Sequence, residues 1–535
     1  MHGGAVGQNL CNTLHNLCGV ITHCDDGVGA VLGGMLQQKL ESILARLFTE
    51  IGQKRDIAAH DGLQRGSQIS DNAARSDDDP THNAVVLHDA ISREIVRRGH
   101  HCCVYAIHRI LLGTDVYRCD SNAHTSGART EQFCYARLVE SLFYCLAIVQ
   151  IGVGLYLLWG GLRWLGYARR RLRGDPGFHA PRCAVLCPCK GLEPELESNL
   201  SALTEFDYKN YEVFYILASA NDPAYSAVKR SVEQSQIPAH VVIAEKPEGC
   251  GEKVNNLRVA IQQLPQDFEV LVFADSDGRP GRSWLRRIVA PLSDSRIGAV
   301  TTMRWLIPSR ANLSSLLLAA WNAAIVTMLT EKGRNFCWGG GTAINRLVFE
   351  QAGVLEEWSH SVSDDYSMTR ALERCNRSIM FVPDCLTPSY MHTDFRGLLE
   401  FTNRQILITR IYSSKTWAPA AITHVLYSFT LLLGVYLTLS NVLLTLPAFH
   451  LAILTFVPML LAAIRGGLRV LAVTEVLGAE RTRIMNQAPA YIVIGMFLPF
   501  LFILNFAVSL FTRRIRWRGV TYELISPQQT RIVAY

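Results

Sequence analysis

Two carboxylates one residue apart, Asp275-Ser276-Asp277, close the apolar run Glu269-Val-Leu-Val-Phe-Ala274. In an extended strand, residues i and i+2 point to the same side, so both carboxylates can face one divalent cation. Hard cations such as Mg²⁺ or Mn²⁺ take oxygen ligands of this kind and share them with substrate phosphates. The plain alternative is a strand followed by an acidic turn, and Asp-x-Asp alone does not decide between the two. Lys190 and Lys253 are mobile point charges suited to phosphates, or else solvated lysines. Trp338-Gly-Gly-Gly341 offers close backbone approach beside an aromatic face suited to a sugar, or else a plain glycine-rich loop.

The elements around these residues form a pattern. Strands are expected at 181–187, 211–218, 240–244 and 270–274, and helices at 194–203, 225–234 and 253–262. Alternation of this kind builds a parallel α/β sheet with crossover helices. Ligands bind such sheets beyond the C-terminal strand ends. Lys190, Asp222, Asp275 and Asp277 all fall there, as one site would require.

Hydrophobic residues make up 49% of the 535-residue chain and charged residues only 18%, the balance of a protein part membrane and part soluble domain. A net charge of +6 suits a face held against anionic headgroups, and no nucleic-acid partner is expected. Residues 141–165 can span a bilayer and end in Arg163, Arg169, Arg170, Arg171 and Arg173, which places the following domain in the cytosol. Residues 418–446, 451–473 and 488–511 can also span, although Arg465 and Arg469 suggest that the second leaves the membrane early. Between them, 175–415 reads as one cytosolic domain. Within it, 313–329 with Trp321 reads as an amphipathic helix in the membrane interface. Three C-terminal spans would carry Arg513, Arg514, Arg516 and Arg518 in the tail 512–535 outside, against the positive-inside rule. Either one segment is re-entrant or interfacial, or the rule fails here.

Residues 1–135 differ from the remainder. They hold ten of the 16 histidines, seven of the 15 cysteines and no tryptophan. His100-His101-Cys102-Cys103 lacks the spaced pairs of a zinc site. A disordered extension is one reading. The one we favour is a start codon placed too early, with the natural start near Leu138 or Val139. The cysteines of the soluble domain form no CxxC pairs, so structural thiols in a reducing cytosol are expected.

Five motifs occur in order: Cys187-Pro-Cys-Lys-Gly-Leu-Glu-Pro194, Asn221-Asp-Pro-Ala224, Lys253-Val-Asn-Asn-Leu257, Asp275-Ser-Asp277 and Ser363-Asp-Asp-Tyr-Ser-Met368. Over 140–530 the chain resembles the ceramide glucosyltransferase family, membrane-bound inverting glycosyltransferases with bacterial hopanoid-modifying relatives. The resemblance implies a GT-A (Rossmann-like) α/β nucleotide-sugar domain with a mixed, mostly parallel sheet and membrane helices on both sides. It implies an integral, multi-pass protein of a bacterial inner membrane that transfers a hexose from a UDP-sugar to the hydroxyl of a membrane lipid such as ceramide. Asp222 would hold uridine, or else cap the turn before Pro223. Asp275 and Asp277 would bind the diphosphate through Mn²⁺ or Mg²⁺. Asp365 would be the general base, with Asp364 its close competitor, or the pair is an acidic helix start. Lys190, Lys253, Asn255 and Asn256 would contact ribose or diphosphate. The family's closing (Gln/Arg)-x-x-Arg-Trp departs here: Arg404 matches the first position, but Leu407 and Ile408 replace Arg and Trp. Arg404 or Arg410 is then left to clamp the diphosphate, with Gln405 near the acceptor. The departure argues against a processive polysaccharide synthase. Other readings are hopanoid N-acetylglucosaminyl transfer, transfer to a polyprenyl phosphate or polysaccharide, and a non-catalytic membrane sugar-binding or transport protein.

Overall fold

The computed structural model describes residues 127–444 and 446–535, and 133–535 form one compact unit. The readings that fall on residues 1–126, residues 100–103 among them, lie outside the described residues. A long helix, α1 (Gly127–Arg173), leads into the α/β domain. Its elements are β1 (Cys183–Pro188), α2 (Leu196–Leu203), β2 (Tyr211–Leu217), α3 (Tyr225–Gln234), β3 (Ala239–Ile243), α4 (Glu252–Gln263), β4 (Val270–Ala274), α5 (Trp284–Val289), β5 (Ile297–Thr301), β6 (Arg304–Pro308) and α6 (Leu313–Val326). Then follow β7 (Gly341–Asn345), α7 (Arg346–Gln351), α8 (Val354–Trp358), α9 (Asp364–Arg374), β8 (Ser378–Phe381), β9 (Thr387–Met391) and α10 (Phe395–Tyr412). Three long helices, α11 (Ser414–Leu443), α12 (Phe449–Val476) and α13 (Arg481–Phe511), precede β10 (Arg514–Trp517), β11 (Val520–Ser526) and β12 (Gln529–Ala534).

Seven strands form a mixed, mostly parallel sheet in the order β3-β2-β1-β4-β7-β5-β8. Every residue of β4 is buried and β1 nearly so, because helices cover both faces of the sheet there. The chain winds outward from β1 to β3 and then returns to place β4 on the other side of β1. The reversal opens a crevice at the carboxyl ends of β1 and β4, the switch point at which α/β sheets bind ligands. Lys190 follows β1 and Asp275 follows β4. Strand β7 runs antiparallel to β4 with Gly341 opposite Ala274, so the glycine run enters the same crevice.

Among the described residues, four helices are long and apolar enough to cross a membrane: α1 from Leu138, α11, α12 and α13 with the turn before it. Helix α13 lies against the α/β domain along its length. Near its start, Gln487 Nε2 donates to the Pro308 carbonyl (3.2 Å) and the Tyr491 hydroxyl to the Leu306 carbonyl (3.3 Å). Near its end, Asn505 Nδ2 donates to Asn403 Oδ1 (2.8 Å), and the Ser509 carbonyl accepts from Arg410 of α10. Helix α6 does not present Trp321 to headgroups. Its indole is buried and stacked on Phe502 of α13 (centroids 5.3 Å), because α6 is covered by α13 and by β6. The amphipathic reading took the apolar face of α6 for a lipid face when it is a packing face.

Residues 512–535, expected as a tail, form the antiparallel sheet β10-β11-β12. Ile515, Val520, Tyr522 and Leu524 pack on Val362, Leu407, Ile408 and Tyr412. The Tyr522 hydroxyl accepts from the Glu252 backbone N–H (3.2 Å). Leu524 is fully buried at this seam. Its replacement by alanine costs about 2–5 kcal/mol of packing, concentrated where the sheet docks. Limited proteolysis of Leu524→Ala should therefore cut near residue 512 much faster than wild type, with the 183–412 core resistant in both.

Candidate active site

Helix α4 brings Lys253 between β4 and α9. Its ammonium lies 2.8 Å from Asp275 Oδ1 and 3.0 Å from Asp364 Oδ2. Burial alone would lower the Lys253 ammonium, but the two carboxylates outweigh it and hold it above its ordinary value. Burial likewise opposes ionisation of Asp275, yet Lys253 and Arg304 keep that carboxyl below the usual range. Asp364 goes the other way. Burial pushes it up to about 6, Lys253 opposes the rise, and Asp365 and Asp275 add to it. Arg304, from the start of β6, pairs with Asp277 Oδ2 at 2.6 Å.

The glycine run makes this packing possible. A Cβ at Gly340 would fall 2.4 Å from Asp275 Oδ2 and from the Trp338 ring, and a Cβ at Gly339 would overlap Asp364 Oδ2. Ser363 caps α9 by accepting from the Tyr366 N–H (3.2 Å), which fixes the two aspartates in the first turn. Asp365 Oδ1 accepts from the Ser363 hydroxyl and the Tyr366 N–H (2.9 Å).

A cavity of about 520 Å³ connects these groups. Lys190, Lys253, Asn256, Asp275, Asp277, Asp364, Asp365, Arg404 and Gln405 all line it. Lys190 Nζ is paired there with Glu252 (2.8 Å). Three expected contributors do not line it. Asp222 Oδ1 accepts from the backbone N–H groups of Gly191 and Ala224, each at 2.8 Å, so this carboxylate braces the loop after β1. Asn255 Nδ2 donates to the carbonyls of Ala244 (3.2 Å) and Glu245 (3.3 Å) and holds the loop after β3. Arg410 donates to the Ser509 carbonyl, away from the cavity, because six residues of helix turn it to another face than Arg404.

Arg304, Glu193, Trp517 and Arg518 line the cavity and were not expected from the sequence. Trp517 and Arg518 come from the C-terminal sheet. Trp517 pairs with Val520, and Arg518 (φ +46°) and Gly519 (φ +86°) form the two-residue turn between them. Two positive φ values define the type I′ hairpin turn, and a non-glycine residue holds one only where its surroundings fix it. The Arg518 guanidinium donates to the Lys190 carbonyl (2.6 Å) and pairs with Glu193. An Arg-Gly pair between apolar residues was the available signal. Nothing in that pair ties it to a cavity far earlier in the chain, which is why it gave no warning of the contact. Arg404 has no ion pair among the described residues and lies 5.1 Å from the Phe401 ring and 5.3 Å from the Trp517 ring. Burial, then Arg304 and Arg518, pull its guanidinium down to about 10. An anion here would relieve that crowding.

No cluster of three His, Cys, Asp or Glu ligands occurs among the described residues. A cation that shares its shell with phosphates needs only one or two carboxylates. Asp277 Oδ1 is buried without a hydrogen-bond partner at the cavity wall, so the pair Asp275 and Asp277 fits a divalent ion. Cys183, Cys187, Cys189, Cys250, Cys337 and Cys385 are free and buried, as structural thiols are.

A sheet wound outward from β1, with an Asp-x-Asp end at its switch point and basic side chains around it, is the arrangement of a GT-A glycosyltransferase. The model of glycosyl transferase family 21 matches residues 142–530, and the chain belongs to that family. Ceramide glucosyltransferase 1 of Caenorhabditis elegans is 20% identical over 240 residues, 43% of this chain and 48% of that protein, so the chain spans about half the length of the curated relative it matches. Two solved structures are distant matches. One is a mannosyltransferase of Pyrobaculum calidifontis in complex with GDP-Man and Mn²⁺ (20% identity, 68% of this chain and 99% of that one, TM-score 0.38). The other is glucosyl-3-phosphoglycerate synthase of Mycobacterium tuberculosis in complex with Mn²⁺ and UDP-glucose (16% identity, 44% and 84%, TM-score 0.29).

The close fit of Gly340 generates a test. In Gly340→Ala the Asp275 carboxylate or the Trp338 ring must shift by about an ångström, a displacement worth on the order of 10²-fold in kcat/KM. Sugar-transfer assays should show that loss while the melting temperature stays within a few degrees of wild type.

Proposed function

We propose that this chain transfers a hexose from a UDP-sugar, with inversion, to the hydroxyl of a membrane lipid such as ceramide. One observation carries the reading: the cavity that holds the carboxylates and arginines continues into an apolar end. Leu306, Leu318, Trp321, Ile325, Phe401 and Ile406 line that end, on elements that rest on α13. A charged donor and an apolar acceptor can then meet in one space.

At the polar end, Lys190, Arg404 and Arg518 bind the donor diphosphate. Glu193 and the Lys190 carbonyl hold Arg518 in place for this task. Trp517 closes the cavity beside Arg404 and limits water, which would otherwise compete with the acceptor. Asp275 and Asp277 would hold Mn²⁺ or Mg²⁺, which supplies charge neutralisation for the departing UDP. Lys253 fixes Asp275 and Asp364 relative to each other.

Asp365 is the general base. Its Oδ1 is oriented by Ser363 and the Tyr366 N–H, and its second oxygen carries no hydrogen bond among the described residues. The carboxylate takes the acceptor hydroxyl proton as that oxygen bonds to the anomeric carbon, and the bond from that carbon to UDP breaks on the opposite face. One displacement inverts the centre and needs no covalent enzyme intermediate. A second assignment, Asp364 as base, is favoured by one observation: a carboxyl raised to about 6 is well matched to proton abstraction near neutral pH.

The contacts of α13 support a topology. A helix that rests on the catalytic domain at both ends does not carry the chain to the far side. We place α1, α11 and α12 across the membrane and α13 along its catalytic face. Arg169, Arg170, Arg171 and Arg173 then share the cytosolic side with Arg513, Arg514, Arg516 and Arg518, in accord with the positive-inside rule.

Three outcomes follow from this reading. With UDP-hexose and ceramide in mixed micelles, the wild-type protein should release UDP and form a glycolipid in equal amounts, and Asp365→Asn should lose about 10²–10⁴-fold in turnover with UDP binding retained. If Asp364→Asn abolishes turnover instead and Asp365→Asn keeps it, the base is Asp364. Calorimetric titration of UDP into Arg518→Ala should show affinity about tenfold or more below wild type, the loss of a charge-assisted contact. A reporter fused after Tyr535 should be accessible on the same membrane side as one inserted in the catalytic domain; opposite sides would refute the placement of α13.

A further inference from the structure

We propose that Arg465 and Arg469 form a second anion site, separate from the cavity, that binds the phosphate of a membrane phospholipid in the catalytic-side leaflet. The two arginines lie one turn apart on α12, a helix long and apolar enough to cross a membrane. Spacing of i and i+4 puts both on one face. Neither forms an ion pair or hydrogen bond among the described residues, and each Nε is buried without a partner. No Asp or Glu occurs between Glu400 and Glu475 or anywhere in α13. Glu475 itself is held by Arg169 in a forked pair, with Arg169 Nε at 2.8 Å from Oε2. Guanidinium does not shed its proton, so two fixed positive charges stand in an apolar region with no protein counter-charge.

The neighbours mark the place. Gly466, between the arginines, faces α13: a Cβ there would lie 3.1 Å from the Tyr491 carbonyl oxygen. Arg465 lies within electrostatic range of His424 and Tyr427 of α11, and Arg469 follows one turn on along the same face of α12. The Ser428 hydroxyl, also on α11, is buried without a partner. The Arg169–Glu475 pair marks the catalytic-side end of α12. From it, a rise of about 1.5 Å per residue places Arg469 about 9 Å and Arg465 about 15 Å along the helix. Both therefore lie in the catalytic-side half of the helix, where a long arginine side chain can snorkel toward the headgroup phosphates of that leaflet. Two guanidinium forks match phosphate oxygens in number and geometry, and a spare hydroxyl adds a donor. Basic pockets between membrane helices bind anionic headgroups on this pattern.

The inference does not rest on the sugar-transfer reading, and its test reads lipid rather than turnover. The full chain is purified in a neutral detergent and its melting temperature followed on adding phosphatidylglycerol, phosphatidylcholine or inorganic phosphate. Lipid that remains bound is extracted and quantified by mass spectrometry. Wild type should be stabilised by phosphatidylglycerol well beyond phosphatidylcholine and should retain about one anionic phospholipid per chain. The Arg465→Gln/Arg469→Gln protein should lose the preference and retain at least about tenfold less, and Arg465→Lys/Arg469→Lys should keep part of both. Equal stabilisation by the two lipids, or equal retention by the glutamine variant, would overturn the proposal. Stabilisation by inorganic phosphate as large as that by phosphatidylglycerol would overturn the lipid as the source of the anion. Should the glutamine variant fail to fold, the lysine variant decides: retention at the wild-type level of both lipid types refutes the site.

Discussion

One ammonium held between two carboxylates sets the geometry of this site. Lys253 reaches Asp275 at the end of β4 and Asp364 at the start of α9, elements about ninety residues apart in sequence. All three groups are withdrawn from water, so their interaction is strong and removing one would leave a buried charge without its partner. Because charges are two to one, the cluster carries a net negative charge that burial relieves by raising Asp364. The glycines at 339 and 340 are the steric condition for this arrangement, since side chains there would occupy the positions of the carboxylate oxygens.

Around that cluster the protein assembles two ends of a reaction space. The polar end is closed by a hairpin from the last twenty-odd residues, and the hairpin depends on an apolar bed at Leu407 and Ile408. The family's Arg-Trp pair is absent at those positions, and Trp517 and Arg518 occupy the cavity beside Arg404 from another part of the chain. The substitution and the docking are two sides of one packing solution: apolar side chains on α10 seat the sheet that carries the aromatic and the guanidinium. The apolar end depends on α13, which covers α6 and α10 and packs in turn on α11 and α12.

Much of this was legible in the sequence. The alternation of buried runs with amphipathic ones matches the β1–α4–β4 order, and Lys190 and Asp275, expected at strand ends, both line one cavity. The antiparallel β7 and the reversal at β1 were not legible, since local pattern carries no sheet order. Asp222 takes the alternative use, capping the turn at Pro223 through the Ala224 N–H, and adds a contact to Gly191 that no spacing reveals, as does the hold of Asn255 on the loop after β3. Arg410 was separable from Arg404 by helical phase alone. Arg304 was invisible because it opens a short strand with no motif. Trp321 misled because an aromatic in an apolar helix has the same signature whether it meets lipid or another helix.

On the proposed function, a nucleotide diphosphate occupies the crevice between the Asp275–Asp277 end of β4 and the C-terminal hairpin. A structure of the full chain with UDP and Mn²⁺, by electron cryo-microscopy or crystallography, tests it most directly. The account predicts both phosphates within hydrogen-bonding reach of Arg518 and the ion on the Asp275–Asp277 pair. Phosphates placed elsewhere in the protein, with the hairpin and the two aspartates untouched, would contradict it.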